Sequence, residues 1–208
     1  IKNFLIFMEA HSPLSALIIE KTSIIKNKKE KYFDGFWSSS LTDSTLFGKP
    51  DTESLDTSLR LNNIDKIFDV TSKPLIMDID TGGKFEHLKM KINSIEKLGI
   101  SAVIMEDKTG LKKNSLFEDT SDQKQENIIK FANKIKYIKE NQITNDFMVI
   151  ARIESFILNK GISDALNRSK KYVKAGVDGI MIHSKLKEPS EILKFAKSFR
   201  KFNKTTPL

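Results

Sequence analysis

The sequence predicts an α/β fold in which parallel strands alternate with helices. Six short apolar runs are separated by segments whose apolar residues have helical spacing, and this alternation is typical of βαβ units. Each run ends in polar or charged residues. That feature favours a (β/α)8 barrel of the TIM type over a doubly wound sheet, because a barrel collects side chains from many strand ends at one face.

The length of the chain limits how much of a barrel it can form. A complete barrel takes about 250 residues, whereas the chain has 208. We therefore expect a single barrel domain over residues 1–208 that is incomplete at its C-terminus, ending after about six strands.

The first half of the chain is expected to supply three of the strands. They are Phe4–Met8, Phe33–Ser39 and Pro74–Asp80. Ser12 as N-cap and Pro13 as first helical residue predict a helix that runs to about Lys26. A charged, exposed insertion should follow at Lys26–Lys31, and residues 41–56, rich in Ser, Thr, Asp, Gly and Pro, should form a loop before a helix over residues 55–70.

The second half repeats the alternation. The expected strands are Ala102–Met105, Phe147–Ile150 and Gly179–Ile182, and the expected helices are Phe85–Leu98, Gln125–Glu140, Ser163 to about Ala175, and Pro189 to about Phe202. Gly99 and Gly176 follow two of these helices, where glycine commonly ends a helix. Thr206–Leu208 has the pattern of an entrance to a further strand.

Composition excludes several classes of function. The chain has no cysteine, so disulfides, thiolate metal sites and a cysteine nucleophile are excluded, and we expect a cytoplasmic protein. No apolar run approaches the roughly 20 residues that span a bilayer. The formal charge of +8 comes from lysines scattered over nearly every predicted helix, which favours a solvated basic surface and no nucleic-acid partner.

Three carboxylates are expected to meet at the ends of two adjacent strands. Asp78 and Asp80 close the third strand and Glu106 closes the fourth. Such a group repels itself unless a cation lies within it, and oxygen ligands suit Mg²⁺, with Mn²⁺ possible. The alternative is that Asp80 caps the following turn and Glu106 pairs with a lysine.

Two further polar residues follow the next two strands. Arg152 offers a planar fork of donors, and His183 is a second donor whose charge can change near neutral pH. With the carboxylates, they supply what an anionic phosphoryl group and its metal would need.

The motifs of the chain resemble those of the phosphoenolpyruvate mutases of the isocitrate lyase and phosphoenolpyruvate mutase superfamily. The residues that carry the resemblance are EAH and LSA (9–11 and 14–16), FDGFWSSSL (33–41), GKPD (48–51), DIDTGG (78–83), EDKTGLKKNS (106–115), ARIESF (151–156) and IHSK (182–185). The resemblance implies a reversible conversion of phosphoenolpyruvate to 3-phosphonopyruvate, which forms a carbon–phosphorus bond for phosphonate biosynthesis.

The resemblance also implies a role for each site residue. Asp78 is the direct Mg²⁺ ligand, and Asp80 and Glu106 hold the ion through waters. Arg152 and His183 hold the phosphoryl group.

The remaining roles concern the substrate's carboxyl end and the closing loop. Backbone amides around Ser39, Ser40 and Leu41 bind the pyruvate part, with Trp37 among the substrate-binding residues. Lys112 and Asn114 lie on a loop that closes over the substrate, and Asp51 faces the migrating group.

Other readings of the sequence remain open. Phosphonopyruvate hydrolase uses a similar site that admits water, and Asn114-Ser115 favours the mutase over it. Lyases of the superfamily use a cysteine in a KKCGH-like stretch, which this chain lacks. A non-catalytic barrel subunit is a third possibility. Family resemblance further implies a homodimer or homotetramer for the full-length protein, with this chain alone poorly stable or inactive.

Overall fold

The computed structural model describes residues 4–110, 112–115 and 122–208. The strands are β1 Phe7–Glu9, β2 Ser23–Lys26, β3 Lys29–Tyr32, β4 Gly35–Ser38, β5 Leu75–Asp78, β6 Ala102–Glu106, β7 Lys108–Thr109, β8 Lys124–Gln125, β9 Met148–Ile153 and β10 Gly179–Ile182. The helices are α1 Pro13–Lys21, α2 Ser40–Leu46, α3 Thr57–Phe68, α4 Leu88–Lys97, α5 Ile128–Asn141, α6 Gly161–Lys174 and α7 Ser190–Phe202, and a 3₁₀ turn at Phe85–His87 precedes α4. Leu111, in the EDKTGLKKNS motif, lies outside the described residues.

Six strands form one parallel sheet, as the sequence predicts. Their order is β1-β4-β5-β6-β9-β10, so each strand lies beside the previous strand of the sheet. This simple succession is that of a (β/α) barrel, and the six strands form part of such a barrel.

The helices cover one face of this sheet and form the core with it. Apolar side chains of that face are fully buried, and helical residues spaced three and four apart pack against them. These residues include Met77, Val103, Val149 and Ile153 from the strands and Ile92, Ile95, Phe131, Ile135, Phe195 and Phe199 from the helices. Among the described residues, no helix is both long enough and apolar enough to cross a membrane.

The prediction of a helix from Pro13 to about Lys26 is wrong at its C-terminal end. α1 ends at Lys21, and β2 pairs with β3 in an exposed antiparallel hairpin. Its turn is made by Asn27 and Lys28, with φ of 53° and 59°, as a type I′ turn requires and asparagine tolerates. The predicted exposure of Lys26–Lys31 is confirmed, but the segment is a hairpin.

Two other boundaries also differ from the prediction. Residues 41–56 are not all loop, because α2 occupies Ser40–Leu46. Ser163 does not begin α6, which starts at Gly161. The chain enters α6 through a tight turn in which Asn159 and Gly161 have φ of 54° and 75°, so the helix begins two residues before the expected cap.

Candidate active site

Three of the predicted site residues, Asp78, Glu106 and Arg152, lie on the face of the sheet opposite the helices. Asp78 is in register with Ile104 of β6, and Glu106 of the same strand is in register with Arg152 of β9. Because side chains two apart on a strand share a face, Asp78, Glu106 and Arg152 point to the same side. All three are buried at the carboxyl ends of neighbouring strands.

Arg152 joins the carboxylates of three strand ends. Its Nη1 donates to Asp78 Oδ2 at 3.0 Å, its Nη2 to Glu106 Oε2, and its Nε to Glu154 Oε1 at 2.8 Å. Burial alone would raise the pKa of Asp78, but the facing cations, Arg152 first and then Lys112, outweigh burial and hold that pKa below its usual range. Asp78 is therefore a carboxylate throughout the physiological pH range.

Lys112 brings the loop after β7 onto the same cluster. Its ammonium donates to Asp51 Oδ1 at 2.6 Å, to Ser40 Oγ at 2.8 Å and to Asp80 Oδ1. Burial lowers the pKa of Lys112, but the neighbouring carboxylates, led by Asp80, outweigh it and raise that pKa. Asn114 Nδ2 lies 3.4 Å from Asp51 Oδ2, so the predicted loop residues and Asp51 do come together.

Asp80 does not continue β5, contrary to the expectation that it closes the third strand together with Asp78. β5 ends at Asp78, and Asp80 stands in a turn with φ of 56°. Its backbone N–H donates to Asp78 Oδ1 at 2.9 Å. The turn still directs the Asp80 carboxylate toward Lys112. Asp78 and Asp80 are therefore close together, as predicted, although Asp80 lies in a turn and not on the strand.

The substrate-binding residues predicted near α2 are only partly joined to this cluster. Ser39 is the N-cap of α2, and Ser40 Oγ reaches Asp78 Oδ2 at 3.4 Å. Leu41 is 40% exposed. Trp37 lies on β4, and its Nε1 is buried with no hydrogen-bond acceptor among the described residues.

Arg60 is a residue of this site that sequence reasoning missed. It is buried on α3, where its Nε donates to Asp43 Oδ2 at 2.8 Å and its Nη1 to the backbone oxygen of Asp78 at 2.6 Å. Nη2 also donates to Ser38 Oγ at 3.2 Å. The available indication was its position in the apolar stripe with Ile64 and Ile67, where an exposed arginine is not expected.

Glu154 is the second missed residue. It is fully buried, and besides Arg152 it accepts from Ser115 Oγ at 2.7 Å and lies 3.0 Å from His183 Nδ1. Burial raises the pKa of Glu154, but hydrogen bonding from His183 and the charge of Arg152 lower it to about 2. His183 is thus joined to Arg152 through one shared carboxylate.

A third missed group supports the end of β6 from the helix side. Asp107 is fully buried and accepts from Tyr172 Oη at 2.8 Å, from Arg168 Nη1 at 3.1 Å and from Gln125 Nε2 at 3.1 Å. Burial raises the pKa of Asp107 despite the charge of Arg168. Arg168 and Tyr172 are four apart on α6, a spacing that places them on one helix face.

The donor set fits a divalent cation. Asp78, Asp80 and Glu106 are oxygen donors of the kind that Mg²⁺ prefers. Glu106 Oε1 accepts no hydrogen bond among the described residues, but the ammonium of Lys108 lies 3.5 Å from it. In the part of the chain that the structure describes, no three acidic or histidine side chains are grouped as a metal site. Cationic side chains instead pair with these carboxylates: Arg152 with Asp78 and Glu106, and Lys112 with Asp80. Lys108 also pairs with Glu106 at 3.5 Å, so the alternative in which Glu106 pairs with a lysine is found in the structure.

The chain matches the family model described as phosphoenolpyruvate phosphomutase over residues 2–207. It is 38% identical over 200 residues to a phosphoenolpyruvate phosphomutase of Tetrahymena pyriformis, covering 96% of this chain and 63% of the relative. It is also 38% identical over 193 residues to a phosphonopyruvate hydrolase of Variovorax sp. (strain Pal2), covering 92% and 63%. The chain therefore spans less than two thirds of the length of these relatives, both of which are named as enzymes.

The fold is similar to that of a solved relative. The crystal structure of a phosphonopyruvate hydrolase in complex with oxalate and Mg²⁺ superposes with a TM-score of 0.84 at 35% identity, covering 98% of this chain and 66% of that one.

Proposed function

The chain belongs to the phosphoenolpyruvate phosphomutase family, and from that premise we propose that the whole protein interconverts phosphoenolpyruvate and 3-phosphonopyruvate. The reaction moves a phosphoryl group from the enolate oxygen of pyruvate to its methylene carbon. One P–O bond breaks and one C–P bond forms, so the reaction needs no co-substrate, and its product is a precursor for phosphonates.

A bound Mg²⁺ would supply charge stabilisation for the enolate that remains when the phosphoryl group leaves. We propose Asp78 as its direct ligand and Asp80 and Glu106 as residues that hold it through waters. The relative solved with Mg²⁺ and oxalate supports a divalent ion in this family. The oxygen donors of Asp78, Asp80 and Glu106 support the same assignment on this chain.

The phosphoryl group is assigned to Arg152 and His183, with Asn114 from the loop. Phosphoryl transfer passes through a loose transition state, so the protein mainly positions the group and stabilises its charge. Arg152 carries a fixed positive charge at the end of β9, and burial makes that charge more effective than it is in water. Trp37 and the amides around Ser39 are assigned to the carboxyl end of the substrate.

The observation that carries the mutase proposal is the position of Lys112. Its ammonium reaches Asp51, Ser40 and Asp80, so it bridges three separate segments and holds residues 112–115 over the strand ends. We infer that residues held in this way would help to keep water from the phosphoryl group, which is what a mutase needs. Asn114 adds a hydrogen-bonding side chain that is not a nucleophile.

Phosphonopyruvate hydrolysis is the second candidate, and the equal identity to a hydrolase favours it. In that reaction water takes the phosphoryl group and gives phosphate and pyruvate. The two candidates share the metal and phosphoryl residues and differ only in what the closed loop admits.

Phosphorus NMR of the whole protein with phosphonopyruvate and Mg²⁺ separates the candidates. We expect phosphoenolpyruvate to form, and we expect Asp78→Ala and Asn114→Ala to abolish its formation while Asn133→Ala, on the exposed side of α5, leaves it unchanged. Inorganic phosphate as the product would contradict the mutase and establish the hydrolase. Binding of Mg²⁺ without turnover would contradict both and indicate a binding subunit.

A further inference from the structure

Glu154 connects three parts of the candidate site through one buried carboxylate. Oε1 accepts from Arg152 Nε at 2.8 Å and lies 3.0 Å from His183 Nδ1, so it contacts the ends of β9 and β10. Oε2 accepts from Ser115 Oγ at 2.7 Å, on the loop that carries Lys112. The side chain has no exposed surface, so water does not compete for these bonds.

We propose that Glu154 is a positioning residue that sets the orientation of the two phosphoryl-binding side chains and anchors Ser115. One oxygen orients Arg152 and His183, and the other accepts from Ser115. This proposal rests on the proposed function, because it gives Arg152 and His183 their phosphoryl-binding roles.

The first oxygen determines which histidine nitrogen can face the substrate. A carboxylate only accepts hydrogen bonds, and the cationic side chains of Arg152 and Lys108 face Glu154 and favour its ionised form. His183 Nδ1 must therefore carry the proton that it shares with Glu154, which leaves Nε2 for a phosphoryl group. The same oxygen also orients the guanidinium plane of Arg152. It accepts from Nε, while Asp78 and Glu106 accept from the two terminal nitrogens.

The second oxygen holds the loop at one point near its functional residues. Ser115 follows Asn114 directly and stands three residues after Lys112. Its hydroxyl donates to Glu154 and accepts from Lys108 Nζ at 2.7 Å. Lys108 lies 3.9 Å from Glu154 Oε2, so the bond is charge-assisted on both sides.

The test uses the whole protein with Glu154→Ala, Glu154→Gln and Ser115→Ala, and Ser94→Ala as a matched serine control on the exposed side of α4. Nitrogen-15 NMR of the His183 ring reports the tautomer, and the rate of trypsin cleavage after Lys112 or Lys113 reports loop opening. Steady-state kinetics give kcat and KM. The first two readouts do not need turnover.

Glu154→Ala should abolish the preference for a protonated Nδ1, speed loop cleavage and lower kcat about 100-fold, the scale of a small misplacement of a catalytic group. Glu154→Gln should recover at least about 10-fold of the lost kcat, because an amide oxygen still accepts from Arg152 and His183 in the same place. Ser115→Ala should speed loop cleavage with the tautomer unchanged. Ser94→Ala should match the wild-type protein in every readout.

Two results would overturn the proposal. One is an unchanged His183 tautomer in Glu154→Ala, and the other is loop cleavage in Ser115→Ala at the wild-type rate. A wild-type protein without turnover would contradict the proposed function instead, while the tautomer and cleavage data would still decide the role of Glu154.

Discussion

Replacement of Arg60 by methionine should destabilise the fold by an amount set by its buried ion pair. Methionine keeps most of the length and packing of the side chain but removes every donor. Asp43 is then left buried at 3% exposure without its cation, and the oxygen of Asp78 loses its 2.6 Å bond. Removing one partner of a buried pair costs about 3–5 kcal/mol, and we expect a loss of that size in the free energy of unfolding.

Urea unfolding followed by circular dichroism measures this loss. Lys66→Met is the matched control, because Lys66 is exposed on the same helix, and it should change the free energy by no more than about 0.5 kcal/mol. The double variant Arg60→Met with Asp43→Asn should lose about 1–3 kcal/mol less than the sum of the single changes, since no buried charge is left unpaired. A loss below about 1 kcal/mol for Arg60→Met, or strictly additive changes, would refute the reasoning.

Two further predictions concern a turn and the response to acid. Gly82→Ala should destabilise the protein more than Gly99→Ala in thermal unfolding. Both glycines have a positive φ, 81° and 95°, so alanine at either position strains the backbone by about 1–3 kcal/mol. Only at Gly82 would the new methyl also lie 2.7 Å from the sulphur of Met105, which adds about 1–3 kcal/mol. Equal losses would show that this sulphur moves aside freely. The pKa of Glu154 is lowered from 4.5 to about 2, so its ionised form contributes stability that is complete above pH 4.5 and is lost as pH falls toward 2. Melting temperatures of Glu154→Gln measured across this range should fall less steeply than those of the wild-type protein, and parallel curves would contradict the assigned pKa.

Much of the fold was predictable because it depends on local patterns. Short apolar runs that end in charge are typical of parallel strands buried on both sides, and all six strands lie where the sequence predicts them, within a few residues. The family was also evident from motifs such as EDKTGLKKNS and DIDTGG. The exposed hairpin was missed because Ile24 and Ile25 continue a helical pattern in the sequence, and only the turn at Asn27 and Lys28 reverses the chain.

The residues of the candidate site also divide into those that local sequence predicts and those that it does not. Asp78, Glu106, Arg152 and His183 were predictable, because the residue that follows an apolar run is the residue that a parallel sheet presents at its carboxyl edge. Glu154 lies two residues beyond Arg152, and nothing in its local sequence separates a buried acceptor for three donors from an exposed acid. Its role becomes visible only when β9, β10 and the loop are seen together.

Local patterns along the chain were therefore enough to predict the alternation of strands and helices, the family, and the residue types gathered at one edge of the sheet. Which charges meet became visible only in the folded chain: Arg152 with three carboxylates, Lys112 with Asp51 and Asp80, and Arg60 with Asp43. Strand propensity and strand-end polarity act over a few neighbouring residues. The pairing of buried charges depends on distances between segments far apart in the chain, and only folding sets those distances.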